Sequence, residues 1–217
     1  MTTFRDITKK CFICQKESSI EVLGSSNTFG GTPDLDTRPP EMMRSTMSWW
    51  IHECPHCGYV ASSLDNETSI SPEFLKSERY TTCAGQNFQY PLAAKFYKDF
   101  LIRLEDQDPG GAFNAALNAA WACDDFDTEE NACHCRLLAL EQLDQLLEKN
   151  SSGADDLVVM RADLLRRTGQ FDRLCAEYAQ KHFEEELLNK VIQFQLEKAA
   201  DKDTGCYQLE DIPGVEY

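Results

Sequence analysis

The 217-residue chain contains no run of eighteen apolar residues, and its opening stretch, MTTFRDITKKCFIC, has no apolar core of a secretory leader. The first absence argues against a membrane-crossing helix, the second against export, so the expected location is the cytoplasm. Positive charge is scarce as well: 21 Lys and Arg stand against 37 Asp and Glu, a net charge of -16. Residues 1–70 hold six basic against nine acidic groups, and the remainder fifteen against twenty-eight. A surface this acidic repels phosphate backbones, which argues against nucleic acid and anionic membrane as partners, above all for the C-terminal part, whose helices instead suit another protein on a free concave face. The sequence also lacks a phosphate-cradling glycine loop, a nucleophile elbow and a zinc-protease histidine pair, so no residue is assigned a catalytic role.

Cysteine, by contrast, is plentiful, with ten in the chain. A reducing compartment favours metal ligands, buried small hydrophobes or reactive thiols over disulfides. Two pairs carry chemistry: Cys11 and Cys14 in KKCFICQK, and Cys54 and Cys57 in ECPHCGYV. A two-residue spacer lets the chain curl so that both sulfurs reach one ion at about 2.3 Å, and two such knuckles make a tetrahedral four-thiolate zinc site. Gly58, just after the second pair, suits that curl by tolerating positive φ. The rival reading of Cys54 and Cys57 is a redox dithiol, which needs a helix N-terminus to lower the thiol pKa; here GYVASSLD continues as strand and turn. Zinc through Cys11, Cys14, Cys54 and Cys57 is therefore the expected cofactor, with His52 and His56 beside the site or exposed. Four thiolates leave no open position for water, so the expected role of the metal is structural.

Period-two alternation in SIEVLGS and in MSWWIHE predicts strands, the second with Met47, Trp49 and Ile51 on one face. Between them, NTFGGTPDLDTRPPE reads as loop. Residues 1–70 thus form a small zinc-ribbon-like β module with a long insertion, and 71–87 a connector. From 88 to 200 the period becomes helical and predicts six helices in antiparallel hairpins: around Ala93 to Leu104, Phe113 to Trp121, a leucine stripe at Leu137, Leu140, Leu143 and Leu147, then Leu157 to Leu165, Phe171 to Tyr178, and Phe183 to Ala199. Asp127, three residues before Glu130, marks a capping box. The segment NSSGADD separates the third helix from the fourth. Ala162, Leu165, Gly169, Phe171 and Tyr178 stand at the offsets of a tetratricopeptide (TPR) repeat, with an ordinary helical bundle as the alternative. Residues 201–217 read as a loose acidic tail. The fold class is α+β.

The insertion carries Asp34, Asp36, Arg38, Glu41 and Arg44. These suit a ligand or partner site, with carboxylates for a hard cation or arginines for an anion; the plainer reading is a solvated turn stiffened by proline. An enzyme using this loop, or a redox protein using Cys54 and Cys57, are the alternatives to a binding scaffold. Cys133 and Cys135 are two apart on a helix and point to opposite sides, so they and Cys123 read as buried small hydrophobes; Trp49, Trp50 and Trp121 read as packing.

With Cys11 and Cys14, the Asp-x-Asp at Asp34 and Asp36, CPHCGY from Cys54, LNAAWACDD from Leu117 and ADLLRRTGQFDR from Ala162, the chain resembles a bacterial family known only as domain-of-unknown-function family 2225. That family pairs two N-terminal Cys-x-x-Cys knuckles with TPR-like helices. The first knuckle departs from the family pattern in lacking its usual Pro and Gly, and TRPPEMMRSTMSWW matches nothing in it. The resemblance implies a metal site and a helical scaffold and brings no activity.

Overall fold

The computed structural model describes residues 2–149 and 155–215. It is an α+β chain whose elements run in sequence from a small antiparallel part to a helical part, with eight α-helices among the described residues. Strands β1 (Thr3–Lys10) and β2 (Glu17–Ser25) form a hairpin in register from Phe4 opposite Leu23 to Lys10 opposite Glu17. Strands β3 (His52–Glu53) and β4 (Val60–Ala61) form a second, minimal hairpin, so the module is two separate two-stranded sheets. The β1–β2 hairpin is largely exposed and leans on the rest through Phe4, stacked on Trp49 at 4.2 Å, and through Trp49 Nε1–H, which donates to Glu21.

Three local expectations change. The MSWWIHE strand is instead a 3-10 turn over Met47–Trp49, with only His52–Glu53 extended. Met47 and Ile51 are both buried, and a spacing of four puts them on one side of a turn. Trp50 donates its indole N–H to Thr46 Oγ1 at 2.9 Å, which holds that turn. β1 went unrecognised because TFRDITKK has almost no apolar alternation. Two four-residue helices were also missed: α1 (Glu41–Arg44), entered from Pro40, and α2 (Glu78–Thr81), capped by Ser77 Oγ accepting from Tyr80 N–H.

The six longer helices sit where the helical period placed them. α3 (Pro91–Glu105) and α4 (Pro109–Phe126) each start on a proline, which has no N–H to satisfy, and Asp108 caps α4 by accepting from Gly111 N–H at 2.9 Å. α4 lies between α3 and α5 (Glu129–Lys149). Its alanines at 112, 115, 116, 119, 120 and 122 are all essentially buried, and such short side chains let both neighbours approach closely. The larger groups that fill the gaps, Phe96, Phe100, Leu101 and Leu143, contribute about 1.5–3 kcal/mol each by burial. The stripe on α5 is shifted: Leu137 is exposed, and Cys135, Ala139, Leu140 and Leu143 face inward. α6 (Asp155–Arg167) ends at Gly169, whose φ of 72° allows the tight turn into α7 (Phe171–Tyr178), and α8 (Glu186–Ala200) packs on both. The expected break at NSSGADD has residues 150–154 outside the described residues.

Asp127 does not cap its own helix. Thr128 Oγ1 accepts from Asn131 N–H, while Asp127 Oδ2 takes the amides of Gln89 and Tyr90, just before α3. One carboxylate thereby ties the start of α3 to the α4–α5 turn.

Residues 203–212 are not loose. Leu35 N–H donates to Tyr207 O and Leu209 N–H to Pro33 O, so the tail pairs with the long insertion. Ile212 is 3% exposed. The buried Arg166 donates to Asp203 O at 2.9 Å and faces the Tyr207 ring at 5.2 Å. A composition too acidic to collapse alone is held because it finds cations and amides already in place.

Candidate metal centre

Each Cys-x-x-Cys pair is the tip of its own hairpin, and the two tips are built alike. In the first, Cys11 N–H donates to Lys16 O and Gln15 N–H to Cys11 O, both at 2.9 Å; in the second, Cys54 N–H donates to Tyr59 O at 2.7 Å and Gly58 N–H to Cys54 O at 2.9 Å. The residue after each second cysteine is left-handed: Gln15 at φ 60° and Gly58 at φ 76°. The first knuckle therefore reaches the same curl without glycine, and the Gln15 side chain steadies it by donating to Phe12 O at 2.6 Å.

The tips face each other. Cys11 and Cys57 sulfurs lie 3.7 Å apart, as do those of Cys14 and Cys54, and all four lie within 4.8 Å of one another. A tetrahedron of sulfurs about 2.3 Å from a central ion has edges of about 3.8 Å, so the cross-pair distances match a four-thiolate shell. Cys11 and Cys54 are buried, Cys14 and Cys57 partly so, and none of the chain's ten cysteines is in a disulfide. Burial pushes the Cys11 and Cys57 thiols up, whereas at Cys14 the upward push of burial is outweighed by hydrogen bonds from Lys16 N–H and the neighbouring sulfurs. Amide N–H groups of Ile13 and Cys14 toward Cys11, and of Tyr59 toward Cys57, supply the partial positive charge that a cluster of thiolates needs. The residues present fit a soft or borderline divalent metal. Phe12 N–H donating to Leu64 O and Tyr80 O–H donating to Gly58 O anchor the two tips to the chain that follows.

Neither histidine belongs to the sulfur group. His56 is exposed, with its ring nitrogen 3.4 Å from Glu17 O, and His52 is buried, which together with Lys95 depresses its pKa. Cys54 and Cys57 sit in a turn between strands with no helix starting there, so the feature that activates a redox dithiol is missing. Cys123 and Cys135 are buried beside each other, and the Cys135 thiol is pushed up by that neighbour and by burial; Cys133 stands apart and partly exposed.

The insertion is not a solvated turn. Asp34, Asp36 and Arg38 are 3%, 1% and 3% exposed. Asp34 Oδ1 accepts from Arg44 Nη2 at 2.5 Å, and the Cys206 thiol donates to Oδ2 at 3.3 Å. Asp36 Oδ2 accepts from Trp121 Nε1 at 2.8 Å and from Arg167 Nη1 at 3.4 Å; burial and the nearby Asp163 raise its pKa against the pull of Arg167 and Arg136. Arg38 pairs with Asp125 at 2.5 Å. The lattice continues into the helices, where Asp124 is gripped by both guanidinium ends of Arg136 and by Arg167, and the fully buried Arg166 holds Asp163 and Gln195. Burial of Asp124 is outweighed by Arg136 and Arg167, and its carboxyl sits below the usual range.

Sequence reading missed Asp124, Asp125, Arg136, Asp163, Arg166 and Arg167. The one available signal was Asp163 and Arg166, charged residues standing next to Ala162 and Leu165 in the apolar pattern of α6. Asp34, Asp36, Arg38 and Arg44 do come together with these, whereas Glu41 is exposed, and the group shares no residue with the cysteine cluster. Among the described residues no helix is long and apolar enough to cross a membrane. Comparisons with protein-family models, curated proteins and solved structures find no match to this chain.

Proposed function

We propose that this chain is a cytoplasmic zinc protein whose metal is structural, and that it acts as a non-enzymatic scaffold holding another protein on its helical part. The observation that carries the reading is the group of four sulfurs from two hairpin tips, with cross-pair distances of 3.7 Å. Four thiolates saturate a tetrahedral ion, which then cross-links a module too small to hold itself together. Zinc is favoured over other metals because sulfur-only tetrahedral shells suit it.

The TPR-like reading of the helices draws support from the α6–α7 hairpin, where Gly169 makes the turn and Ala162, Leu165 and Tyr178 are buried at repeat offsets. Stacked helical hairpins leave a face free, and binding is its ordinary use. The paired knuckles and this hairpin also support placing the chain with domain-of-unknown-function family 2225.

Metal analysis of untagged protein tests the proposal together with thiol alkylation. Zinc at one ion per chain, with slow alkylation that releases it, is the expected result. Metal-free protein whose Cys54 and Cys57 alkylate at once overturns it.

A further inference from the structure

The insertion, the C-terminal end of α4, the start of α5, the end of α6 and residues 204–206 enclose a cleft of about 650 Å³. Arg38, Arg44, Arg136 and Arg167 line it, four of the chain's ten arginines, and no lysine does. In a chain of net charge -16, four guanidinium groups converge here, and they come from three separate segments. Arginine's planar fork, unlike the point charge of lysine, matches the paired oxygens of carboxylate and phosphate.

Each guanidinium has five N–H donors. The acceptors among the described residues take no more than two from any one of the four. Arg38, Arg136 and Arg167 have side chains 4%, 3% and 8% exposed, and each keeps a buried Nε–H with no acceptor. Among the described residues only five buried side-chain polar atoms lack a partner, and three are these. A buried donor left unmet is destabilising, because it gives up its water without gaining a partner. A lattice that served only to glue the insertion to the helices would gain by adding acceptors here. Of the four carboxylates that line the cleft, Asp124 is held by Arg136 and Arg167, Asp125 by Arg38 and Asp127 by the amides of Gln89 and Tyr90, and Glu129 is exposed. Of the two that pair with the cleft's arginines, Asp125 is a third exposed and able to swing away, Asp124 less so.

We propose that this cleft binds a small oxyanion, a phosphate or carboxylate group, through the N–H forks of Arg38, Arg44, Arg136 and Arg167. Asp125 acts as the placeholder on Arg38 that the ligand displaces. The site shares no residue with the cysteine cluster, so its test stands apart from the metal reading.

Titration calorimetry and thermal melts of the intact metal-loaded protein, with inorganic phosphate and with succinate at ionic strength matched by chloride, test this and separate the two anion types. Saturable binding and a raised Tm with one or both, and neither with chloride, is the expected result. Arg38→Met weakens that binding about tenfold or more, the loss of a charge-assisted hydrogen bond, with the unliganded melt kept as a check on folding. Asp125→Asn keeps the shape, releases Arg38 and removes a competing charge, so it tightens binding severalfold. No saturable binding of either anion by the wild type and by Asp125→Asn overturns the proposal, as does binding that Asp125→Asn leaves unchanged or weakens.

Discussion

Trp121 on α4 donates its indole N–H to Asp36 at 2.8 Å although 85 residues separate them, and both are buried. This bond and the Arg167 contact on the same oxygen join the insertion of the N-terminal module to the helical core. Asp36→Ala strands a buried indole N–H and takes from Arg167 one of its two carboxylates, and is expected to lower stability by about 3 kcal/mol. Asp36→Asn keeps an acceptor for Trp121, and burial already disfavours the carboxylate, so its loss is smaller. Urea unfolding followed by tryptophan fluorescence checks both; equal losses would show that the oxygen acceptor is irrelevant.

The two knuckles differ at their left-handed residue, Gln15 in one and Gly58 in the other. A side chain in that region costs about 1–2 kcal/mol. Gly58→Ala is expected to lose about that amount in the metal-loaded protein, all of it conformational, because an added Cβ would meet nothing closer than Glu53 Oε1 at 3.9 Å. Gln15→Gly is expected to gain up to about 1 kcal/mol, reduced by the lost bond to Phe12 O and by glycine's greater freedom when unfolded. Chelator-challenge melts of the two variants should move in opposite directions.

Burial raises the Asp99 carboxyl to about 6, against the opposing pull of Arg103. In the unfolded chain it titrates near 3.9, so the folded state binds the proton more tightly. Stability from this group is therefore greatest at low pH, falls as pH rises from about 4 to about 6, and the deficit is complete at neutral pH. Asp99→Asn is expected to stabilise the protein by about 1–2 kcal/mol at pH 7 and to be nearly neutral at pH 4. Denaturant midpoints at the two values read the difference directly.

Ending the chain after Lys202 removes the Asp203 carbonyl from buried Arg166, the Tyr207 carbonyl from Leu35, and Ile212 from the core. A loss of about 3 kcal/mol or more is expected, together with new protease cleavage between residues 27 and 40, where the insertion loses its pairing strand. Limited proteolysis followed by mass measurement locates the cut.

Asp127 shows how far sequence reading reached. One oxygen, Oδ1, works locally, on Thr128 N–H and the Asn131 side chain, while Oδ2 serves the start of α3, which no local pattern could say because those amides lie 37 and 38 residues upstream. Met47 to Ile51 failed for a different reason: alternation over seven residues fits a strand or a tight turn equally, and burial against the core chose the turn.

Spacing along the chain is enough to set the sulfur pairs and the helices. A two-residue spacer forces a curl, and a recurring apolar face forces a helix, through interactions that span only a few residues. Long-range packing is what buries Asp34, Asp36 and Arg38, brings them to Asp125, Trp121 and Arg167, and pairs the acidic tail with the insertion. A charged side chain in a loop is cheapest in water and reads so locally; it moves inward only when packing delivers opposite charges and amides from distant segments, and that delivery is written in no single stretch of the chain.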